Sequence, residues 1–122
     1  MLKISIKPLD KKFSFYIRSK ANWTCEVCGK KYKPPTKGLH CSHFWGRRNK
    51  SVRFDPDNVI AACFGCHRKF TENPEIHREF FMERLGEANY NILMLRANKF
   101  KKPDYFLINM WLTQELKKME KK

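Results

Sequence analysis

Two C-x-x-C pairs frame the middle of this chain. Cys25 and Cys28 form the first, in "WTCEVCGKKY"; Cys63 and Cys66 form the second, in "CFGCHRKF". A reducing compartment disfavours a disulfide framework, and four thiolates in two such pairs read as one tetrahedral zinc site. Structural zinc of this kind contributes of order 10 kcal/mol to folding. That matters in a chain of 122 residues, whose core is modest. The site would pin residues 25–28 against 63–66. The 34 residues between Cys28 and Cys63 would become a closed loop.

Other groupings of the same residues fit less well. Cys25, Cys28, His40 and His43 read C-x2-C-x11-H-x2-H. A two-Cys, two-His finger wants longer spacings and a helix for its histidines. That pairing also orphans Cys63 and Cys66. "CFGCH" matches a c-type haem attachment pattern, but that chemistry needs export. The fifth cysteine, Cys41, reads as a small buried residue.

Charge narrows the partner. Lys and Arg number 26 against 12 acidic residues, a formal net charge of +14. An excess this large in so short a chain points to nucleic acid, where phosphate neutralisation drives binding. An acidic protein or a membrane surface is the weaker alternative. No 18-residue apolar stretch occurs, so no membrane span is expected. "MLKISIKPLDKKF" lacks the pattern of a secretory signal. A cytoplasmic protein is expected.

The pattern along the chain is α+β. "LKISIK" alternates as a short strand, and "FSFYIRSKAN" suits strand or helix. "LHCSHFW" reads as a strand, with His40, Ser42 and Phe44 on one face and Cys41, His43 and Trp45 on the other. "GRRNKS" is a basic loop, "VRF" a candidate second strand and "DPDN" a turn. "VIAACFGCHRKF" runs through the second cysteine pair into a short helix. Three more helices follow. Asn73 caps the first, Pro74 starts it, Gly86 ends it, and Ile76, Phe80 and Leu85 form its buried face. "EANYNILMLRANKF" is the next. In the last, Tyr105, Ile108, Leu112, Leu116 and Met119 recur at helical spacing, and the tail "KKMEKK" is expected to fray.

Inside the cysteine-framed loop and at its edge lie His43, Asn58 and His67, in an order and spacing that match the HNH nuclease motif. Hydrolysing a phosphodiester takes a base, and a neutral imidazole serves near pH 7. It also takes a cation to stabilise the phosphorane charge and the leaving oxygen. "SHFWGRRNKSVRFDPDNVIAACFGCHRKFTENPEIHREFFMERLG" resembles the NinG family of phage recombination nucleases within the HNH superfamily. The likeness covers roughly residues 23–100. It rests on the Ser-His-aromatic start, the basic segment, "RF" before an Asn-containing turn, the C-x-x-C pair and the helix ending in Leu-Gly.

This resemblance implies a small zinc-stapled ββα-metal core over residues 23–72, followed by a helical part over 73–122 in the same domain. It implies a structure-selective DNA endonuclease acting on branched recombination intermediates such as Holliday junctions and displacement loops, in the host cytoplasm if phage-encoded. His43 falls at the general-base position, Asn58 at the middle Asn and His67 at the final metal-binding position. The catalytic cation would be Mg2+ or Mn2+, and hydrolysis would leave 5′-phosphate ends. One departure stands out. Many HNH enzymes carry Asp or His just before the base, as a metal ligand; here the residue is Ser42, a poor one. His40 is a tentative replacement, as are Asn58 or water alone, since magnesium keeps several waters.

Arg47 and Arg48 are the leading phosphate contacts, extended by Lys50, Arg53, Arg68 and Lys69. Trp45 could stack on an exposed base or pack in the core. Two cuts at a junction suggest a homodimer, with the last helix a candidate interface. A non-catalytic zinc-dependent DNA-binding module is the alternative function, and charge alone leaves RNA open as well.

Overall fold

The computed structural model describes residues 5–120. Its first element, α1, spans Ile6–Lys20. Leu9, Phe13, Tyr16 and Ile17 are its buried residues, a stripe at helical spacing that settles "FSFYIRSKAN" as helix. The strand expected at "LKISIK" does not form over its described part, because Ile6 and Lys7 already lie in α1. Residues 2–4 of that expectation lie outside the described residues. Pro8 is tolerated because it sits in the first turn, where its missing N–H has no intrahelical partner to lose.

The sheet is a two-stranded antiparallel ribbon. Leu39–His43 (β1) pairs with Val59–Cys63 (β2), in a register running from Leu39 opposite Cys63 to His43 opposite Val59. The second strand is therefore not "VRF", which lies in a turn. Val52 and Phe54 are nonetheless buried. They act as plugs under the loop rather than as ladder residues. In β2, Val59, Ile60, Ala61 and Ala62 are all fully buried. A run covered on both faces loses the alternation that normally marks a strand.

Four helices follow. Cys63 leads into α2, Phe64–Glu72, and Pro74–Leu85 forms α3. Then come α4, Glu87–Ala97, and α5, Tyr105–Glu120. Pro74 opens α3 as expected, and Gly86 ends it with φ +82, a value glycine adopts without strain. Two details differ from expectation. The Asn73 side chain does not cap α3; its Nδ2 donates to the Lys69 carbonyl at the end of α2. The buried face of α3 centres on Phe81, while Ile76 is exposed. His77 and Phe81, one turn apart, both face Phe44, and His77 stacks on Phe70. This aromatic cluster sets the helix rotation.

The main core gathers residues from α1, β1, β2, α2, α3, α4 and α5. Burying a side chain such as Phe13 or Phe81 stabilises the fold by roughly 2–3 kcal/mol. As expected, Leu112 is fully buried, with Tyr105, Ile108, Leu116 and Met119 packed around the core. Trp111 meets Tyr16 edge-on, holding α5 to α1. The tail expected to fray remains helical through Glu120; Lys121 and Lys122 lie outside the described residues. Among the described residues no helix is long and apolar enough to cross a membrane.

Candidate functional site

The four cysteines converge. The sulfurs of Cys25, Cys28, Cys63 and Cys66 all lie within 4.8 Å of one another. Local backbone geometry sets up the first pair. The Cys25 N–H donates to the Lys30 carbonyl, the Gly29 N–H returns to the Cys25 carbonyl, and Gly29 takes φ +81. That is a tight knuckle which a Cβ would strain. Glu26 fixes the knuckle to β2: its N–H donates to the Ala61 carbonyl, and its carboxylate accepts from the Ala61 N–H at 2.6 Å.

Four cysteines so arranged could hold a structural metal ion such as zinc. The spacing fits. The Cys28 and Cys63 sulfurs are 3.8 Å apart, and a tetrahedron with zinc–sulfur bonds of about 2.3 Å has edges of roughly 3.8 Å. Burial alone would raise the Cys25 thiol. Backbone N–H groups of Cys28, Cys63 and Val27 outweigh it and hold that thiol down at about 7. The fifth cysteine differs: burial pushes the Cys41 thiol up to about 12, so it stays a neutral packing residue.

The histidines divide between the two faces of the ribbon. His40 turns toward α2, where its Nδ1 lies 3.1 Å from Nδ1 of His67. Its Nε2 contacts the Lys37 carbonyl at 3.1 Å. A carbonyl can only accept, so Nε2 carries the proton and the His40 Nδ1 lone pair points at His67. Burial, then His40, then Arg47 keep His67 below the usual histidine range. Two imidazole nitrogens bound side by side to one cation at about 2.1 Å lie roughly 3.0–3.4 Å apart. The pair could chelate an ion, with the Lys37 carbonyl orienting one ligand as metal-binding histidines usually require.

His43 points the other way, and its ring rests against Phe13 of α1. Its Nε2 donates to the Arg53 carbonyl at 2.9 Å, which leaves Nδ1 as the free lone pair. Burial, the leading cause, lowers the His43 pKa; the Arg53 carbonyl partly opposes it, and Arg47 adds to the lowering. A neutral imidazole at pH 7 results. Arg53 is held in turn by Asp10 of α1, with its Nε and Nη2 donating to the two carboxylate oxygens. Arg53, anticipated as a phosphate contact, is thus only 15% exposed and already paired. Its place is behind His43.

Asn58 is fully buried and pins the intervening loop. Its Oδ1 accepts from the Trp45 N–H at 2.7 Å, and its Nδ2 donates to the Trp45 and Val52 carbonyls at 3.0 Å each. No side chain of another shape can serve two acceptors and a donor here. Asn58→Ala is expected to destabilise the protein by about 2–4 kcal/mol, since it leaves the Trp45 N–H and carbonyl unpaired, while the Val52 carbonyl keeps the Asp55 N–H. Urea denaturation checks this. A loss below about 0.5 kcal/mol would mean that water replaces the amide without cost.

Among the remaining expected residues, Arg47, Arg48, Lys50 and Lys69 are exposed. Arg68 is exposed and pairs with Glu72 one turn away. Ser42 is buried, and its hydroxyl has no partner among the described residues. Trp45 is half-buried and packs beside Val52, Leu93 and Ala97. The sequence left strand and helix open for α1 and gave no sign of its basic face. Lys7, Lys11 and Arg18 line an open cleft of about 590 Å³ with Arg47 and Asp10. Reading α1 as a helix would have exposed this basic face, because Lys7, Lys11 and Arg18 recur at one-turn and two-turn spacing.

No family model, curated protein or solved structure matches this chain. Function has to be argued from the site.

Proposed function

We propose that the protein is a metal-dependent DNA endonuclease of the HNH type, related to the NinG recombination nucleases. The observation that carries this reading is the convergence of His40 and His67 at the start of α2, beside the cysteine cluster. Within one ribbon-and-helix unit it supplies two ligands for a catalytic cation, while the oriented base His43 lies on the other face of β1. His40 takes the ligand role that Ser42 cannot fill.

In this mechanism Arg47 and Arg48, exposed in the loop after β1, hold the scissile phosphate. His43 Nδ1 takes a proton from water, and the water oxygen attacks phosphorus in line with the 3′ oxygen. The bond to that oxygen breaks and the departing oxyanion takes a proton from solvent, leaving a 5′ phosphate and a 3′ hydroxyl. A divalent ion bound by His40 and His67 would supply charge neutralisation at the phosphate and the leaving oxygen. Asp10 and Arg53 orient His43 through the Arg53 carbonyl, and Asn58 holds the loop that carries the arginines.

The competing reading is a zinc-dependent DNA-binding module without catalysis. The partnerless Ser42 hydroxyl and the packing of His43 on Phe13 favour it. Matched DNA substrates separate the two: linear duplex, fork, displacement loop and four-way junction, each with Mg2+, Mn2+ or EDTA. Divalent-dependent cutting that favours branched DNA is expected. Tight binding with no cutting under any metal would leave the binding module.

A further inference from the structure

The most exposed large apolar side chain among the described residues is Phe100, 82% accessible, in the turn between α4 and α5. Isolated exposed apolar residues are common. This one is unusual in three respects. Lys99, Lys101 and Lys102 flank it in sequence, and all three are exposed. Its φ of +52 lies in the left-handed region, where a bulky side chain is strained. It also stands between two clefts. One, of about 330 Å³, separates it from Arg48, Asn49, Lys50 and Ser51. The other, of about 560 Å³, is lined by Ser51, Arg96, the three lysines, Pro103 and Asp104.

The turn is fastened to the basic loop, because Asn49 Nδ2 donates to the Ala97 carbonyl at 3.0 Å. The lysines and the outward aromatic face form one surface. An acidic peptide would use the cations but supplies no flat face for the ring. A nucleic-acid strand with an unpaired base uses both: phosphates for the lysines and a base face for the ring.

We propose that the α4–α5 turn is a second DNA contact, in which Phe100 stacks on a base left unpaired at a branch point. This rests on the DNA reading above and adds a basis for branch preference. It assigns to Phe100 the stacking role considered for Trp45, which is half-buried beside Val52, Leu93 and Ala97. Lys99, Lys101 and Lys102 hold the strand that leaves the branch.

The test uses the full-length, zinc-loaded protein without added divalent ions, so binding is read apart from cutting. One probe is a fork with 2-aminopurine at its first unpaired position. The other is a fully paired duplex of equal length. Wild type is expected to bind the fork more tightly and to quench the 2-aminopurine. Phe100→Ala should weaken fork binding roughly tenfold, remove the quench and change duplex binding less than about twofold. Phe100→Gly should lose fork preference equally, with a melting temperature no lower than wild type, because glycine relieves the left-handed strain. Lys101→Ala with Lys102→Ala should weaken both probes and flatten the salt dependence by about 0.9 per lysine. The proposal is overturned if the Phe100 variants bind the fork like wild type, lose both probes equally, or if wild type prefers an RNA fork. A wild type that binds neither DNA overturns the DNA reading itself.

Discussion

Removing the metal from the four-cysteine cluster is expected to unfold the chain outright. The Cys28–Cys63 link closes a loop that contains both strands of the only sheet among the described residues. A two-stranded ribbon has little stability of its own in water. Here its end is set by the cluster, because Cys63 is the last residue of β2 and pairs with Leu39 at the start of β1. The second pair also starts α2, so the register of the ribbon and the entry of the helix share one anchor.

The magnitudes favour complete loss. Structural zinc contributes roughly 10–16 kcal/mol in small domains, whereas total stability is typically about 5–15 kcal/mol. Without the ion, four sulfurs remain crowded within 4.8 Å. A high-affinity chelator should abolish the cooperative thermal transition seen by circular dichroism, and added zinc should restore it. Cys28→Ser should act in the same direction. A chelated protein that melts like the untreated one would show that the main core suffices and that the cysteines are ordinary thiols.

Parts of this architecture were legible in the sequence because they follow from local rules. The cysteine pairs, the proline and glycine ends of α3 and the apolar stripe of α5 each depend on a few neighbouring residues. The strand at Leu39–His43 was legible for the same reason. The second strand was not. Burial of "VIAA" on both faces erased the alternation that identifies a strand, and "VRF" imitated it within a turn. In α1 the alternation of "LKISIK" competed with a helical stripe that starts only at Leu9. The rotation of α3 depends on Phe44 and Phe70, remote residues against which His77 and Phe81 pack.

The site divides in the same way. His40, His43, Asn58 and His67 could be picked out as candidates from residue type and order. Their pairing could not. His40 meets His67, and His43 meets the Arg53 carbonyl, only because the ribbon pleat sends them to opposite faces. Asp10 gave no signal, since its role depends on an ion pair with Arg53, 43 residues away.

His43→Ala is expected to lower the cleavage rate by about 10²–10⁴-fold, the usual contribution of a positioned general base. Stability and zinc content should change little by comparison, and that contrast separates a base from a core histidine. The pH dependence offers an independent check. Burial lowers the His43 pKa from its ordinary 6.5, with Arg47 adding to the effect, so the neutral base persists into mild acid. The acid limb of the rate profile should therefore fall below pH 6.5. Stability follows the same sign. The unfolded chain binds the proton more readily, so the stability tied to neutral His43 is present above about 6.5 and declines as pH falls toward the folded value. Asp10→Asn provides the finer measurement. It weakens the grip on Arg53 without touching His43, and should reduce the rate while leaving the affinity for DNA nearly unchanged. If His43→Ala retains wild-type cleavage at pH 7, the imidazole is a packing partner of Phe13 and another group activates the water.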